Sequence, residues 1–421
     1  MLQTLTSSLR TPEIRRKIGF AAAMLLIYRI GAYIPSPGVD VQALDDFQNQ
    51  FDSGNILGFL NLFSGGSLSR LSIFALGIMP YITASIILQL MTVVSPTLEQ
   101  LAREGEVGQQ KITQYTRYLT VFLAAGQSIG YVALFRAQGG ETGIISDTSP
   151  GNLILIATCL TAGTVLLMWI GELITQRGIG NGISLLIFAS IVSGLPGGIS
   201  AWWNSNDQIF KLMMPFIALG VIVAVVFIQE GQRRIPVQYA KRQVGRRMTQ
   251  GGSTYLPLRV NMAGVIPIIF AASIMAFPPT LGTLLNTSWS TSFSNFFNPN
   301  GTAYVVGEVL FIIMFTYFYT AVTFNPREQA DNLKKYGGFI PGVRPGLPTA
   351  EYLDRILARL TFPGALYLAG VAALPMILIA QTGSSFFFGG TSVLITVGVA
   401  LDTMKQLEAQ LQMRNYEGFL N

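Results

Sequence analysis

Few residues in this chain could carry out chemistry by themselves. The sequence has no histidine and one cysteine, Cys159, so the commonest general base and metal ligand are absent and no intrachain disulfide can form. No HExxH, Ser-His-Asp or GxxxxGK[ST] pattern is present. The carboxylates near apolar segments, Glu172, Glu308 and Asp402, do not make the row across a membrane that coupled transporters use. We therefore expect no cofactor and no enzymatic activity.

The side chains best suited to binding a partner are arginines and lysines in two long polar loops. The loop 231–261 has seven basic residues, and its segments 235–239 and 253–257 look extended, with the basic run 241–247 between them. This pattern predicts a projecting finger with a basic tip, which could meet RNA phosphates, an acidic protein face or anionic lipid. The simpler alternative is a charge cluster that only retains the loop on one side of a membrane.

The second loop, 325–357, contains the segment 336–346, where glycines and prolines alternate around a single cation, Arg344. This alternation of glycine and proline favours an irregular, fixed backbone over a helix. Arg344 is therefore the best single candidate for a partner contact, against the alternative that its charge serves topology alone.

Composition indicates the elements that must position these loops. Half of the 421 residues are hydrophobic, only 11% are charged, and the mean hydropathy is +0.48, whereas soluble domains carry about 25% charged residues. A helix needs about 20 apolar residues to cross the hydrocarbon. Ten segments approach that length: 18–34, 71–94, 118–135, 153–174, 183–202, 212–229, 262–285, 304–324, 361–380 and 386–401.

The basic residues orient these ten spans. With the N terminus inside, 23 of the 27 Lys and Arg residues fall in cytoplasmic segments, Arg29 lies within the first span, and only Arg70, Arg136 and Lys211 fall outside. This asymmetry predicts that both termini are cytoplasmic. Residues 1–17 are interpreted as a cytoplasmic amphipathic helix and 409–421 as a cytoplasmic tail.

One apolar segment, 54–70, is too short to span the membrane and is bracketed by Gly54 and by Gly65 and Gly66. A short hydrophobic piece between flexible glycines suggests a re-entrant or mobile element, which is tolerated at membrane depth only inside protein or along a cavity. The alternative is a static interfacial helix.

Several strings in this chain, taken together, resemble one family. They are 74–82 (FALGIMPYI), 114–117 (QYTR), 178–184 (GIGNGIS), 231–234 (GQRR), 261–267 (NMAGVIP), 324–328 (FNPRE), 341–346 (PGVRPG), 389–392 (GGTS) and 416–417 (YE). In number and order they are similar to the bacterial SecY family, the channel subunits of the protein-conducting translocon. The resemblance implies an all-α polytopic membrane protein with ten transmembrane helices in two inverted five-helix halves, residues 18–203 and 204–408. The halves would surround a central pore closed by a short plug helix.

The resemblance also implies roles for single residues. The aliphatic pore ring would be Ile78, Ile82, Ile183, Ile187, Ile269 and Ile395. The plug at 54–70 would include Ile56, Leu57, Phe59, Leu60, Leu62, Phe63, Gly65 and Gly66. The lateral gate would involve Thr83, Gln127 and Ser273, and partners would dock at Arg246, Arg247 and Arg344. From the residues alone, the pairs at 78/82 and 183/187 share a helix face, which on spacing alone is more often packing or lipid contact.

The implied partners are the membrane subunits SecE and SecG, the ATPase SecA, the translating ribosome with its rRNA and proteins, signal sequences, nascent polypeptides and membrane lipids. The implied location is the bacterial cytoplasmic (inner) membrane.

Two other classes of protein stay open from the residues alone. One is a secondary transporter for a small solute, with a compact midplane site, and the other is an intramembrane enzyme that uses Lys or carboxylate chemistry. The two large basic loops favour the channel, because small-solute carriers do not need docking surfaces.

Overall fold

The computed structural model describes residues 11–40, 61, 64–138, 144–145, 147–204, 208–239, 243–244, 247–248, 252–285, 301–382 and 390–417. Its helices are α1 (Pro12–Gly31), α2 (Met79–Val94), α3 (Pro96–Arg103), α4 (Glu106–Gln138), α5 (Pro150–Arg177), α6 (Gly182–Asn204), α7 (Gln208–Glu230), α8 (Ile266–Leu285), α9 (Thr302–Thr323), α10 (Pro326–Lys335), α11 (Leu347–Thr382) and α12 (Gly390–Glu417). In chain order, α1, α2, α4, α5, α6, α7, α8, α9, α11 and α12 correspond to the ten expected spans.

Prolines start several of these helices because their missing N–H falls where a helix has no acceptor for it. Pro12, Pro96, Pro150 and Pro326 each occupy a first-turn position. At α10 the Asn325 side chain also accepts hydrogen bonds from the backbone N–H groups of residues 327 and 328, at 3.2 and 3.5 Å. These prolines therefore mark where four of the helices begin.

The second span begins later than the sequence predicted. Residues 71–78 form turns, and the helix starts only at Met79. Leu71 has φ 41° and Gly77 has φ 59°, values that a right-handed helix does not contain. The segment instead pairs with the chain that follows α1, through Ser36 N–H to the Leu71 carbonyl (2.9 Å) and Ile73 N–H to the Ile34 carbonyl (3.1 Å).

Three other boundaries also differ from expectation. Residues 12–17 belong to the same continuous helix as the expected first span, and residues 1–10 lie outside the described part of the chain. Helix α11 begins at Leu347, inside the expected loop 325–357, and α12 continues through the expected tail to Glu417. Hydropathy marks where a helix enters lipid, whereas the helix itself extends beyond that point.

The helices form two groups that follow chain order. In the first, α5 packs on α1, α4 and α6, and α4 packs on α2; in the second, α9 packs on α8 and α11, and α12 packs on α7 and α11. The groups meet along two seams. At one seam α8 contacts α2 and α4, and at the other α12 contacts α6. One extended buried apolar core runs through both groups.

Five helical stretches in the described residues are long and apolar enough to cross a membrane. They are Pro150–Arg177, Gly182–Ser200, Lys211–Glu230, Ala303–Lys335 and Leu347–Leu374. A sixth is reached if α2 and α3, which meet at a bend of 100°, are taken as one broken span. The expected number of ten membrane spans stays a prediction.

The two long polar loops fold into a single unit. Strands β1 (Gln232–Tyr239) and β4 (Ser253–Arg259) form an antiparallel hairpin, and β2 (Gln243–Val244) pairs with β3 (Arg247–Met248) between them. The predicted extended segments of this finger are therefore confirmed as strands. Strand β5 (Gly338–Phe339) of the second loop adds to the free edge of β1, which gives the order β4-β1-β5.

Apolar side chains hold this unit together. Ile235 and Val237 on β1 and Leu258 on β4 are almost fully buried, and they pack against Phe324, Ile340, Leu353, Ile356 and Leu357 from the second loop and the start of α11. We call this unit, made of β1 to β5, α10 and the first turns of α11, the basic platform.

Candidate functional site

The six isoleucines expected to form a pore ring lie inside the protein. Five are buried and Ile183 is half-buried; all six belong to the same apolar core, and they come from α2, its N-cap, α6, α8 and α12. These are the helices that meet along the two seams between the groups. The expected ring residues therefore lie where the two halves join and do not face lipid.

Two ring residues come together over a glycine of α5. A Cβ atom built on Gly171 would lie 3.5 Å from Ile183 Cγ1 and 3.7 Å from Ile78 Cδ1. The two isoleucines therefore approach the same point on α5 from the N-cap of α2 and from α6. Glycine at that point leaves room for aliphatic side chains to pack against the helix backbone.

Among the described side chains, a hydroxyl and a sulfur meet across the seam between α2 and α8. The Ser273 hydroxyl donates to its own helix at the Ile269 carbonyl (2.7 Å) and lies 3.9 Å from the Met79 sulfur on α2. Thr83 donates to the Met79 carbonyl within α2 (3.0 Å), and Gln127 on α4 is half-buried. Of the three expected gate residues, the structure thus brings Ser273 against the opposite helix, and its partner there is Met79.

The end of the expected plug is tied to two helices. Residues 54–60, 62 and 63, which include Ile56, Leu57, Phe59, Leu60, Leu62 and Phe63, lie outside the described part of the chain. Immediately after them, the buried Tyr28 hydroxyl donates to the Ser64 carbonyl (3.1 Å) and shares a hydrogen bond with Ser190 Oγ (2.6 Å). One hydroxyl on α1 therefore joins the plug end to α6.

The next two residues are glycines in the left-handed region, Gly65 with φ 66° and Gly66 with φ 81°. A Cβ on Gly65 would come within 2.8 Å of the Tyr28 hydroxyl, so a larger residue there would both strain the backbone and displace the anchor. The Gly65 carbonyl also accepts from Arg29 Nη1 at 2.9 Å. Arg29, which from the sequence is only a charge within the first span, is thus a second anchor of the plug end.

The described part of the chain holds few charges inside the helix bundle. Arg117 on α4 forms a two-pronged ion pair with Glu172 on α5, at 2.9 and 2.6 Å. Glu308 on α9 is buried, and neither of its oxygens has a hydrogen-bond partner among the residues that the structure describes. Among these residues no group of three or more His, Cys, Asp or Glu side chains could hold a metal ion.

The basic platform presents Arg344 on a rigid turn. Its side chain is exposed and has no ion-pair partner among the described residues. The turn is set by Gly342 and Gly346, both with positive φ, and by the Thr349 hydroxyl, which donates to the Arg344 carbonyl at 2.8 Å. The expected irregular backbone around Arg344 is confirmed.

The other two expected docking residues are less well described. Arg246 lies outside the described residues, and only the backbone of Arg247, in β3, is described. Arg259, at the foot of the hairpin, is paired with Asp402 of α12 at 3.8 Å, while Lys405 of α12 pairs with Glu230 at 2.7 Å. Arg259 of the platform therefore pairs with a carboxylate of the helix bundle.

Comparison with known proteins identifies the family. The SecY family model matches residues 72–404. The chain is 49% identical to the protein translocase subunit SecY of Mycobacterium tuberculosis and 50% identical to that of Streptomyces galbus, with both chains covered completely in each case. The chain belongs to the SecY family.

Solved structures of the SecY fold agree with this assignment. One, described as a protein conducting channel, matches with a TM-score of 0.66 and 17% identity, over 95% of this chain and 93% of the other. Sec61 in the canine ribosome-channel complex from the endoplasmic reticulum matches with a TM-score of 0.62 over the same shares. The protein is thus a multi-pass membrane protein with the SecY fold.

Sequence reasoning missed Tyr28, Ser64, Ser190 and Met79. The only sequence signal for the plug anchor is a tyrosine and an arginine side by side near the end of an apolar span, which normally indicates an interfacial anchor. Nothing in the sequence marks Met79 as a seam residue, because methionine is a common packing residue in apolar segments.

Proposed function

We propose that unfolded polypeptide passes between the two halves of this protein through a constriction lined by Ile78, Ile82, Ile183, Ile187, Ile269 and Ile395. The protein is the channel subunit of a protein translocase. The observation that supports the constriction is that all six side chains are withdrawn from lipid and come from the helices where the two halves meet.

Aliphatic side chains suit such a constriction for two physical reasons. A narrow apolar passage loses its water and so blocks ions when no polypeptide occupies it. Branched hydrocarbon groups also make no directional hydrogen bonds, so they fit around diverse side chains without selecting among them. The sequence has no P-loop pattern, and directional force must come from a partner.

We expect a polar residue in the constriction to make the resting channel leak. Replacing Ile82, Ile187 or Ile395 with Asn places an amide in the apolar passage, which stabilises water there, and ion conductance should rise by about tenfold. The measurement is conductance in planar bilayers without substrate. Ile87→Asn is the matched control, because Ile87 lies on the same helix, α2, and is 37% exposed. Equal leakage in Ile87→Asn, or none in the three ring variants, would contradict the assignment.

The same proposal gives the Tyr28 anchor a role in holding the plug closed. Tyr28→Phe removes the hydroxyl that joins Ser64 to Ser190 and leaves the Ser64 carbonyl without that donor. One hydrogen bond contributes about 0.5–1.5 kcal/mol net, so the open fraction should increase about two- to tenfold. Spontaneous opening events in bilayers measure this.

Tyr115→Phe is the control for Tyr28→Phe, since Tyr115 is 49% exposed on α4. If the two variants open equally often, the anchor does not contribute to closure.

Hydrophobic segments would leave the channel sideways through the seam between α2 and α4 on one side and α8 and α9 on the other. What supports this exit is the weakness of the seam's polar contacts: Ser273 bonds mainly to its own helix and meets α2 through a sulfur 3.9 Å away. Polar contacts between membrane helices are worth about 0.6 kcal/mol on average, which a hydrophobic signal sequence can replace.

The basic platform would be the docking surface for the partner that supplies polypeptide, either the ATPase SecA or the translating ribosome. This proposal is supported by Arg344, which is exposed and has no ion-pair partner in the described part of the chain, on a turn shaped by glycines and by Thr349. Guanidinium groups bind carboxylates and phosphates with two hydrogen bonds, so this surface suits an acidic protein face or rRNA. SecE and SecG are the expected membrane subunits.

The basic-residue asymmetry supports a location in the bacterial cytoplasmic membrane with the platform and both termini in the cytoplasm. Reconstitution of the full chain with SecE and SecA in vesicles, followed by an assay for preprotein import, tests the function as a whole. ATP-dependent protection of a preprotein from added protease is the expected result, and import of a small solute without preprotein transport would favour a carrier.

A further inference from the structure

A cluster of two cations and one aromatic ring lies at the end of α1 distant from Pro12. The Arg29 guanidinium carbon is 5.0 Å from the centre of the Tyr33 ring, and that of Arg70 is 4.2 Å from the same ring. Arg29 Nη2 also donates to the Tyr33 hydroxyl at 3.2 Å. Two positive charges therefore act on the same small volume around one tyrosine.

Neither Arg29 nor Arg70 forms an ion pair with a described carboxylate. Arg29 has five N–H donors; its described acceptors are the Gly65 carbonyl and the Tyr33 hydroxyl. Two like charges on one tyrosine ring repel each other, and an anion near them relieves that repulsion.

The surroundings indicate which anion fits. Leu26 and Ile30, four residues apart on α1, are 60% and 56% exposed, and Ile34, just beyond the end of α1, is 46% exposed. Exposed apolar side chains therefore lead towards the cations. Tyr33 itself is 54% exposed, as expected of an aromatic side chain at headgroup level. A ligand with a phosphate at one end and hydrocarbon at the other can contact both the cations and the apolar side chains, whereas a free phosphate contacts only the cations.

We propose that Arg29, Arg70 and Tyr33 form a binding site for the phosphate of an anionic phospholipid, whose acyl chain lies along Leu26, Ile30 and Ile34. Guanidinium groups bind phosphate oxygens with paired hydrogen bonds, and the tyrosine face holds both cations in place. The site is next to the plug anchor because Arg29 also donates to the Gly65 carbonyl. It does not depend on polypeptide conduction, so its failure and that of the proposed function are distinguishable.

The test uses the full chain in nanodiscs that contain a photoreactive phosphatidylglycerol or the matching phosphatidylcholine, with cross-linked peptides mapped by mass spectrometry. Labelling at residues 26–34 should be about tenfold stronger with phosphatidylglycerol, the ratio that corresponds to about 1.4 kcal/mol. Arg70→Gln should reduce it to the phosphatidylcholine level, and Arg70→Lys should retain part of the preference. Arg70 is the better target because Arg29 also holds Gly65.

Arg136→Gln is the matched control, since Arg136 is an exposed arginine at the end of α4. An equal loss in Arg136→Gln would show only a general charge effect and would overturn the site. Equal labelling by both lipids, or labelling unchanged in Arg70→Gln, would also overturn it. A further arm adds inorganic phosphate: displacement of the lipid by millimolar phosphate would assign the site to a soluble anion and refute the lipid.

Discussion

A covalent link between Met79→Cys on α2 and Ser273→Cys on α8 is expected to reduce export to background. The native side chains are in contact across the seam, with Ser273 Oγ 3.9 Å from the Met79 sulfur. A bond between the two helices replaces a contact worth about 0.6 kcal/mol by one that thermal motion does not break. The seam would then stay closed, and a signal sequence could not enter it.

The experiment is done in a Cys159→Ala background, because Cys159 is the chain's single native cysteine. Cysteines are joined by oxidation, or by a short bifunctional thiol reagent where the Cβ atoms are farther apart than the about 3.8 Å of a disulfide. Export of a preprotein is measured before and after linkage, and reduction of a disulfide should restore it.

The matched control pair is Ser128→Cys with Thr161→Cys. Their native oxygens are 3.2 Å apart, between α4 and α5 of the same half, so this bond does not cross the seam. Export should continue at its normal rate in the linked control. Normal export in the fully linked 79/273 variant would contradict the proposed lateral gate.

Reversing the charge at Arg344 should block translocation while leaving membrane insertion unchanged. In Arg344→Glu the exposed cation that is proposed to meet an acidic or phosphate partner becomes an anion that repels it. We expect preprotein translocation to fall by at least about tenfold, which corresponds to 1.4 kcal/mol of docking free energy. The platform should still fold, since its core consists of the apolar residues around Ile235 and Leu353.

Two measurements are needed for the Arg344→Glu variant: the amount of protein in the membrane and the rate of preprotein import. Arg327→Glu is the control, because Arg327 is also an exposed cation of the basic platform, on α10. A similar loss in both variants would indicate that the platform needs only general positive charge. Normal import in Arg344→Glu would refute its docking role.

Much of the architecture could be predicted from local sequence. The apolar segments and the extended segments of the first basic loop appear in the structure close to their predicted places. The predicted start of the second span at Leu71 failed for a physical reason. Residues 71–78 are apolar because they are buried in the protein core, and hydropathy does not distinguish burial in protein from burial in lipid.

The candidate site was predictable only in part. The i, i+4 isoleucine pairs are visible in the sequence, but their role came from resemblance to a family, because the same spacing serves ordinary packing. The two basic loops, considered separately, gave no sign that β5 adds to β1 or that both loops share one apolar core. A two-residue strand such as β5 has no recognisable pattern of its own.

The sequence by itself determined that this is a membrane protein with few charges in its apolar segments and with two long basic loops. Each of these properties depends on a contiguous segment and its preference for lipid, water or a helix. Only the tertiary structure decided which residues meet. Tyr28, Ser64 and Ser190 are joined across separations of 36 and 162 residues, and Met79 meets Ser273 across 194. Such pairings depend on how the two halves pack, and no local preference for lipid or helix specifies the partner.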